Sequence, residues 1–558
     1  MSDQQPQSPT RVALLLDRPA IPAWVAELWE RLMQDDNVEM VGVLVAHDRR
    51  RGGRTPGSKP RWQDGRLGRG IRRRLMATYR KLVDRNLTFA DAWKGADTGL
   101  NADDFVDLPI TFSESDRLQL IDLKIDVVVH CGLRAVVPEV IANARFGVWS
   151  LLGSPAGIEQ AYPAGFWPVL KGAPLTRSTL AVTFADRAPI VLAESWMATS
   201  RHSTRDNISR HYWKMLFSIP RAIRRTRDQG ADVYFSDCRT RVDQSFERNF
   251  SAPHPGALAY GSYVARAVLR KAVALIDNNV FEQRWRLRRA EPFALTGETR
   301  LAEIQHNPEC VYRADPFIHV SDESRILFFE EYCDRRKLGH LSRVSLDASG
   351  RPDGEVRMIL QRAYHLSYPQ ILNVDGEHYM LPETSGNKTI ELYKATAFPD
   401  EWALHSVLME DIDASDATLL QRDGLWWLFA NVKSHPAVSS QDECFLYFAD
   451  DLEGPWQAHP LNPVVSDCRT SRPGGAMIEK DGRLIRPTQD CTYRYGYGLN
   501  FMEVTALTTT DYREVLLEHI PPRARSGAIG IHTYAESGDI AFVDELYRSP
   551  RWKNRVPR

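Results

Sequence analysis

The chain has 558 residues, of which 43% are hydrophobic and 26% are charged. These proportions are typical of a soluble globular protein and exclude a disordered or fibrous one. The length predicts about three domains. The 71 Lys and Arg residues nearly balance the 72 Asp and Glu residues, which gives a formal net charge of −1. A chain this close to neutral is not expected to bind nucleic acid.

The seven cysteines are scattered along the sequence and form no Cys-x-x-Cys motif. This pattern predicts reduced thiols in a cytoplasmic protein, with neither a disulfide framework nor a zinc module. The first ten residues are polar and lack the apolar segment of a signal peptide. No apolar run reaches the roughly 18–20 residues that span a bilayer, so we expect neither export by the usual route nor a membrane span.

The first half of the chain alternates between apolar runs and segments of helical periodicity. The pattern predicts strands at 11–17, 38–46, 125–132 and 146–150 and helices at 21–33 and 136–144. Such alternation is typical of an open parallel α/β sheet. No Gly-x-Gly-x-x-Gly follows the first strand and no phosphate-binding loop is present, so neither NAD nor FAD is predicted.

A basic stretch at 49–85 interrupts this pattern and holds 14 Lys and Arg residues against Asp64 and Asp84. One interpretation is a solvated insertion, which most charge runs are. The other is an arm that contacts anionic lipid headgroups or a lipid-phosphate carrier.

Three segments, 146–150, 163–172 and 179–183, resemble the folate-dependent formyltransferases, and the resemblance covers about 10–205. That family carries an Asn-x-His pair after a Gly-containing strand, followed by an Asp. Here Ser150-Leu151-Leu152 occupies the pair's place and the later Asp maps to Asp186. Leucine cannot transfer a proton. The resemblance therefore implies a formyltransferase-like domain over 1–205 that has lost formyl transfer and serves in binding, docking or dimerisation.

Residues 206–280 have a helical pattern and are predicted to form a helical linker. Within it, 263–276 places Arg266, Arg270 and Lys271 on one side of an otherwise apolar helix. The segment is either a packed surface helix or a helix lying in a membrane interface.

The second half of the chain repeats one layout five times. Each repeat has a polar turn followed by a strand that ends in polar residues. In the second, third and fourth repeats the turn is Asp-Gly. The repeats start at Asp322, Asp375, Asp423, Asp481 and Ser537, at spacings of 53, 48, 58 and 56 residues. Asp-Gly between two strands indicates a hairpin. A period near 50 residues with several strands per unit predicts a five-bladed β-propeller over 281–558.

Polar residues recur in two positions of these repeats. One set ends the strands after the turns: Glu330, Glu383, Asn431, Arg486, Gln489 and Asp490. The other precedes the hairpins and includes Asp315, His365, Asp416, Arg472 and His532. The four Asp residues of the turns themselves are expected to cap hairpins. The two sets are predicted to surround the propeller axis.

This inner set resembles the five-bladed propellers of furanoside-acting glycosidases, in which carboxylates of several blades meet at the axis. Across most of 300–545, the chain also resembles the N-terminal region of the plant glucosamine inositolphosphorylceramide transferases. The segments that carry this likeness include Asp315-Pro-Phe, Met380-Leu-Pro-Glu383 and Arg472-Pro-Gly-Gly475. The resemblance implies a propeller fold and association with glycans. The separate glycosyltransferase domain of the plant proteins has no counterpart in this sequence.

The candidate catalytic residues are four carboxylates. By resemblance to the glycosidases, Asp315 is the base or nucleophile. Glu383 is the candidate acid with Glu330 in reserve, and Asp416 orients the sugar or tunes a pKa. The candidates for binding sugar hydroxyls or phosphate are His365, Arg472, Arg486, Gln489, Asp490 and His532.

Two alternatives stay open at this stage. Arg472 and Arg486 are either ligand-binding residues or partners in structural ion pairs. Trp426 and Trp427 are either part of a blade core or a platform for a sugar.

The resulting hypothesis is a cytoplasmic carbohydrate-active enzyme, a glycosyltransferase in surface-polysaccharide or glycolipid assembly. A glycoside hydrolase of furanoside type, a non-catalytic glycan-binding scaffold and a sugar-amine N-formyltransferase are the alternatives. The expected partners are a glycan or nucleotide sugar and, through 49–85, an anionic lipid at the inner membrane surface. No cofactor is predicted, and no ligand set for a cation on the axis stands out.

Overall fold

The structure is a computed structural model. It describes residues 8–17, 20–47, 91–96, 105–109, 112–132, 136–152, 165–242, 257–290, 310–321, 324–333, 335–522 and 527–551. The chain divides into two compact units, 1–272 and 273–558. The basic stretch predicted at 49–85 lies outside the described residues.

The first unit is built on a seven-stranded sheet with the order β3-β2-β1-β4-β5-β6-β7. Its strands are β1 (Thr10–Leu16), β2 (Val38–His47), β3 (Phe105–Pro109), β4 (Val127–His130), β5 (Val148–Leu152), β6 (Leu175–Thr183) and β7 (Ile190–Ala198). The first five strands are parallel, whereas β6 and β7 continue the sheet as antiparallel strands. The α/β alternation expected from the sequence is therefore present, and the likeness to formyltransferases remains a prediction.

Helices cover this sheet. They are α1 (Ala23–Met33), α2 (Glu114–Asp122), α3 (Pro138–Ala142), α4 (Phe166–Lys171), α5 (Thr204–Met215), α6 (Ser218–Gln229), α7 (Ala231–Arg241) and α8 (Ala257–Val280). Helices α5, α6 and α7 contact β6 or β7. The part of the predicted linker that they form thus packs as part of the first unit. Among the described residues, no helix combines the length and apolar character that crossing a bilayer requires.

The second unit contains five β-sheets, one for each predicted blade, and forms a five-bladed β-propeller. Blade 1 holds β9 (Cys310–Val320), β10 (Arg325–Cys333), β11 (Leu338–Ser345) and β12 (Arg357–Leu360). Blade 2 holds β13 (Ser367–Val374), β14 (Glu377–Glu383), β15 (Ile390–Ala397) and β16 (Glu401–Met409). Blade 3 holds β17 (Ala414–Arg422), β18 (Leu425–Val432), β19 (Cys444–Ala449) and β20 (Gln457–Ala458).

The last two blades depart from this four-strand layout. Blade 4 holds β21 (Arg472–Pro473), β22 (Ile478–Lys480), β23 (Arg483–Asp490), β24 (Gly498–Leu507) and β25 (Tyr512–Ile520). Blade 5 combines β26 (Ala528–Ser537) and β27 (Ile540–Pro550) with β8 (Phe281–Ala290), which comes from the start of the unit. Ten residue pairs join β27 to β8. This pairing closes the ring and leaves blade 5 no free edge at β27.

The three predicted Asp-Gly turns lie where the sequence pattern placed them, whereas Asp322 of the first repeat lies outside the described residues. In Asp375-Gly376, Asp423-Gly424 and Asp481-Gly482 both residues have positive φ, between 51° and 83°. This combination defines the type I′ hairpin turn, which asparagine or aspartate followed by glycine adopts at low cost. These three dipeptides join neighbouring antiparallel strands: β13 to β14, β17 to β18 and β22 to β23.

Apolar clusters fill the spaces between neighbouring blades. Leu287 and Phe542 of blade 5 pack with Leu327 and Phe329 of blade 1, and similar clusters join the other neighbours. Trp426 and Trp427 are buried in two such clusters. They belong to the blade core and form no platform for a sugar. The clusters hold the inner strands in a ring.

Candidate functional site

The innermost strands carry a repeated irregularity at the level of the axis. In β9, β13, β17 and β26, two residues bulge out opposite a single residue of the neighbouring strand. Asp315, Tyr368 and Asp416 open the first three bulges with φ values of 52°, 50° and 51°. Aspartate tolerates this left-handed conformation, whereas it is strained for the bulky Tyr368, and bulges re-aim side chains at functional sites.

Arg472 connects blades 2, 3 and 4 on the axis. Its Nε donates to Asp416 Oδ2 at 2.7 Å, and one terminal nitrogen reaches Asp416 Oδ1 at 3.2 Å and Glu383 Oε2 at 3.5 Å. Its other terminal nitrogen donates to the Ser440 carbonyl. The Gln489 amide adds a hydrogen bond of 2.8 Å to Asp416 Oδ2. These four predicted site residues therefore form one buried network.

A second network joins blades 5 and 1. His532 lies between two carboxylates: its Nε2 is 3.4 Å from Asp315 Oδ1, and its Nδ1 is 2.6 Å from Asp544 Oδ1. The Thr533 hydroxyl donates to Asp315 Oδ1 at 2.7 Å, and Asp544 accepts the backbone N–H of Asp315. The ring of Trp285 stacks on His532 with 3.9 Å between centroids.

Glu330 lies beside Asp315 on the neighbouring strand. Its Oε1 is 3.3 Å from His365 Nε2 and accepts a hydrogen bond of 3.4 Å from the Tyr312 hydroxyl. The backbone N–H of Gly339 donates to His365 Nδ1, which leaves the imidazole proton on Nε2, facing Glu330. His365 is the most exposed member of the site, with 34% of its side chain accessible.

The axial carboxyls are forced into different protonation states. Five of them, Asp315, Glu330, Glu383, Asp416 and Asp544, share two cationic side chains, Arg472 and His532. In a low-dielectric interior this many like charges cannot all be ionised. Some carboxyls must therefore hold their protons at neutral pH.

Burial raises the pKa of Glu330 well above its usual range, and Asp315 and Glu383 act in the same direction. Burial also raises the pKa of Asp416, with Arg472 opposing the shift and Glu383 adding to it. For Glu383, burial is outweighed by Arg472 and by hydrogen bonds from Asp416 and Ser385, which lower its pKa. The surroundings thus shift the pKa values of two axial carboxyls in opposite directions, upward for Glu330 and downward for Glu383.

His532 behaves as the cation of its network. Burial alone would lower the pKa of this imidazole, but Asp544 and Asp315 raise it. Burial raises the pKa of Asp315, and the neighbouring His532 works against that shift. Asp544 and Asp315 therefore favour the protonated imidazole, and His532 in turn favours the ionised form of Asp315.

Two of the predicted binding residues lie outside the cluster. The Arg486 guanidinium is bound bidentately by Glu514, at 2.9 Å and 2.8 Å, and donates to the Thr470 carbonyl. It belongs to the structural ion pair that was the alternative. Asp490 follows Gln489, so its side chain takes the other face of β23; there its carboxylate accepts the Thr492 backbone N–H. Neither side chain is available to a ligand on the axis.

Sequence reasoning missed several members of the site, of which Asp544 is the most important. Asp544 lies on β27, opposite the bulge of β26. It comes one position before Glu545, which corresponds to the polar residues that end the equivalent strands of the other blades. The equivalent residues elsewhere are Phe329, Pro382, Ala430 and Thr488. None of these four residues is ionisable, so the repeats do not mark the position as that of a carboxylate. Tyr495, whose ring lies 4.8 Å from the Arg472 guanidinium, comes from a loop and was equally hidden.

Among the residues that the structure describes, two groups of side chains have the composition of metal ligands. Asp315, His532 and Asp544 form one, and Cys310, Glu331 and His340 of blade 1 form the other, each with its ligand atoms within 4.8 Å. In both groups a protein cation already neutralises the carboxylates: His532 in the first and, in the second, Arg313, which binds Glu331 at 2.8 Å. We assign neither group as a metal centre.

The first unit contains a smaller polar group at the carboxyl ends of its parallel strands. Ser150 Oγ lies 3.4 Å from His130 Nδ1, and burial lowers the pKa of His130 while Asp17 opposes that shift. Asp186 does not join them, because it lies in the exposed turn after β6, beyond Thr183, which pairs with the start of β5. Asp186 therefore follows the end of β6 that pairs with the start of β5, whereas His130 lies at the carboxyl end of β4.

The propeller half of the chain is similar in sequence to a known protein family. Residues 295–528 match the family described as glucosamine inositolphosphorylceramide transferase 1, N-terminal. The rice (Oryza sativa subsp. japonica) protein of that name is 35% identical over 204 residues, which are 36% of this chain and 27% of the relative. The Arabidopsis thaliana protein is 28% identical over 218 residues, 39% of this chain and 28% of the relative.

The chain thus spans little more than a quarter of these relatives, and the match confirms the resemblance stated for its second half. Among solved structures, the family 117 glycoside hydrolase Zg3597 of Zobellia galactanivorans has a TM-score of 0.31 at 14% identity. The match covers 47% of this chain and 90% of that one. An α-L-arabinofuranosidase from Lactobacillus brevis has a TM-score of 0.31 at 13% identity, over 43% and 90% of the two chains.

Proposed function

We propose that this chain is a carbohydrate-active protein whose propeller binds a glycosyl group at its axis and takes part in glycosyl transfer. The observation that supports the proposal best is the buried set of carboxyls that blades 1, 2, 3 and 5 bring together around Arg472 and His532. Burying this much charge is costly and requires a reason beyond stability. The names of the relatives, which are those of glycolipid glycosyltransferases, agree with this reading.

The chemistry requires one carboxylic acid to protonate a leaving oxygen and one carboxylate to act as base or nucleophile. The pKa directions move the acid role from Glu383 to Glu330, which was the reserve candidate. The raised pKa of Glu330 suits the acid, whereas Arg472 lowers the pKa of Glu383, which suits the base or nucleophile. Asp315 remains a candidate for the same role as Glu383, and Asp416 positions Arg472.

The proposed role in glycolipid or surface-polysaccharide assembly carries two further expectations. A nucleotide sugar would supply the glycosyl group, and a glycolipid or lipid-phosphate carrier would accept it with help from the basic stretch at 49–85. A cytoplasmic location would fit synthesis, and the seven cysteines, all present as free thiols, suit a reducing compartment.

The test uses the full chain and the single variants Asp315→Asn, Glu330→Gln and Glu383→Gln. Sugar binding is followed by saturation-transfer NMR, and turnover by mass spectrometry with nucleotide sugars and with oligosaccharides. Each variant should lower turnover by about 10²–10⁴-fold, the usual contribution of a general acid or base. Asparagine is chosen at 315 because it tolerates a positive φ.

Asp423→Asn and Glu503→Gln are the matched controls, since each removes one carboxylate from the propeller away from the axis. Both should leave turnover unchanged. Release of free sugar in water without an acceptor would turn the proposal into hydrolysis. Turnover that survives all three axial substitutions would contradict an axial active site.

A further inference from the structure

Helix α8 exposes an apolar stripe that the proposed function does not use. Six exposed residues at helical spacing form this stripe: Leu258, Ala265, Leu269, Ala272, Val273 and Ile276. Leu258, Leu269 and Ile276 are 91%, 64% and 60% exposed. Their spacing places them along one face of the helix. The stripe contains neither a charged nor an aromatic residue.

The opposite face of α8 is packed, which fixes the rotation of the helix about its own axis. Tyr263, Val264 and Ala267 form an apolar cluster with Phe166 and Val169 of α4. The stripe therefore points away from this cluster. An apolar surface that is rimmed by polar residues indicates contact with another protein or with a membrane.

Two arginines border the stripe, and their described hydrogen bonds go to main-chain carbonyls. Arg266 donates to the Leu170 carbonyl at 3.1 Å, and Arg270 donates to the Arg201 carbonyl at 3.3 Å. Within the described ranges, neither guanidinium forms an ion pair with a carboxylate. Burial lowers the pKa of Arg270, and the positive charges of Arg201 and Arg266 lower it further. An anion such as a phosphate would stabilise this group of like charges.

We infer that α8 docks the protein on the surface of a membrane that contains anionic lipids. The apolar stripe enters the boundary between headgroups and acyl chains, and the bordering arginines bind the lipid phosphates. Aliphatic side chains beside arginine and lysine are typical of such helices, whereas contacts between proteins rely on tryptophan and tyrosine anchors. Helix α8 lies outside residues 295–528, so the inference rests neither on the relatives of the propeller nor on the axial site.

Vesicle flotation with the full chain measures this docking. The protein is mixed with vesicles of phosphatidylcholine alone, or of phosphatidylcholine and phosphatidylserine in equal amounts. It should bind the anionic vesicles at least tenfold more tightly, and added salt should weaken that binding. Inorganic phosphate is added at constant ionic strength in a further arm. Release of the protein by phosphate would indicate a site for a free anion and would contradict membrane docking.

Substitutions on α8 test which residues make the contact. Leu269→Glu should weaken vesicle binding at least tenfold, because it removes apolar burial and adds a negative charge to the stripe. Arg266→Gln should weaken it about fivefold, the usual contribution of one cation near an anionic surface. Leu118→Glu and Arg117→Gln are the matched controls, since both residues are exposed on α2. The two controls should bind vesicles as the parent protein does.

A triple substitution of Arg72, Arg73 and Arg74 by glutamine tests the basic stretch at 49–85 separately. Loss of vesicle binding in this variant, with both α8 variants unaffected, would assign docking to that stretch and overturn the role of α8. Equal binding to neutral and anionic vesicles, or binding to neither, would also overturn it. Self-association that Leu269→Glu abolishes without changing vesicle binding would instead identify the stripe as a contact between two copies of the chain.

Discussion

At the scale of single residues, the pKa values of two neighbouring glutamates on one strand shift in opposite directions. Glu330 points to the axis, where burial and other carboxylates raise its pKa. Glu331 points to the other face, where Arg313 and Ser342 bind its two oxygens and His340 lies 3.6 Å away. Burial alone would raise the pKa of Glu331, but these partners lower it to about 2. The alternation of a strand thus separates a functional carboxyl from a structural one.

This contrast predicts opposite pH dependences of stability. Because the pKa of Glu330 is raised in the folded state, this residue lowers the free energy of unfolding as the pH rises above about 4.5. The free energy of unfolding of Glu330→Gln should therefore increase relative to that of the parent protein with rising pH. A lowered folded pKa stabilises at neutral pH and is lost as pH falls from about 4.5 towards 2. Glu331→Gln should therefore cost on the order of 3 kcal/mol at pH 7 and less near pH 3.

Urea titrations of both variants at several pH values measure this directly. Each variant is the other's control, because the same substitution is made at two adjacent positions of β10 whose side chains lie on opposite faces of the strand. Parallel pH profiles for the two variants would contradict the assignment of separate environments.

Arg472 is the residue on which the axial carboxyls depend most. Arg472→Met keeps most of the side-chain volume but leaves Asp416 and Glu383 without their buried counter-charge. Removing one partner of a buried ion pair costs about 3–5 kcal/mol, and we expect that loss in urea unfolding at pH 7. Because Asp416 and Glu383 can take up protons instead, the loss should shrink at low pH.

Arg422→Met is the matched control, since Arg422 forms exposed ion pairs with Asp423 and Glu479. Its effect should stay within about 1 kcal/mol. A similar cost for both substitutions would show that the axial network is not the source of the effect.

At the scale of secondary-structure elements, the hairpin turns set the register of the strands and the bulges set the direction of the axial side chains. The Asp-Gly turns fix the register of the first hairpin in blades 2, 3 and 4, and register decides which side chains reach the axis. The bulges then rotate Asp315 and Asp416 out of the regular alternation. The turn residues are readable from the sequence, because only a few residue types accept a positive φ.

Gly424 provides a test of the turn contribution. It has a φ of 78°, and a Cβ placed there would meet no atom within 4 Å, so the cost of Gly424→Ala comes from the backbone alone. We expect a loss of about 1–2 kcal/mol in thermal or urea unfolding. Gly386→Ala, at a position where a Cβ makes only ordinary contacts, should be nearly neutral. Equal effects at both positions would argue against a strained turn.

At the scale of the whole molecule, the propeller is closed by strands from both of its ends. Strand β8 pairs with β27 along its whole length, and Leu287 from β8 enters the cluster that joins blades 5 and 1. Closure also brings His532 and Asp544 of the last blade beside Asp315 of the first. The network of His532, Asp544 and Asp315 therefore depends on the closure of the ring.

Leu287→Ala should weaken this closure. Truncating a buried leucine costs about 2–5 kcal/mol, and hydrogen exchange should become faster in β8, β27 and β10 together. Leu516→Ala, at a side chain that is 55% exposed, is the control and should change stability by less than about 0.5 kcal/mol. Faster exchange confined to β8 would show that the strand is an appendage and not part of the closure.

The sequence by itself determined the five repeats, their turns and the residue types of most of the axial set, because turn chemistry and hydrophobic alternation are local properties. It placed Asp315, Glu330, Glu383, Asp416, Arg472, Gln489, His365 and His532 correctly near one axis. Only the tertiary structure decided that Arg486 and Asp490 lie elsewhere, that Asp544 belongs to the site, and that the pKa values of Glu330 and Glu383 shift in opposite directions. These facts depend on bulges, on ring closure and on distances between blades, which a local pattern does not encode.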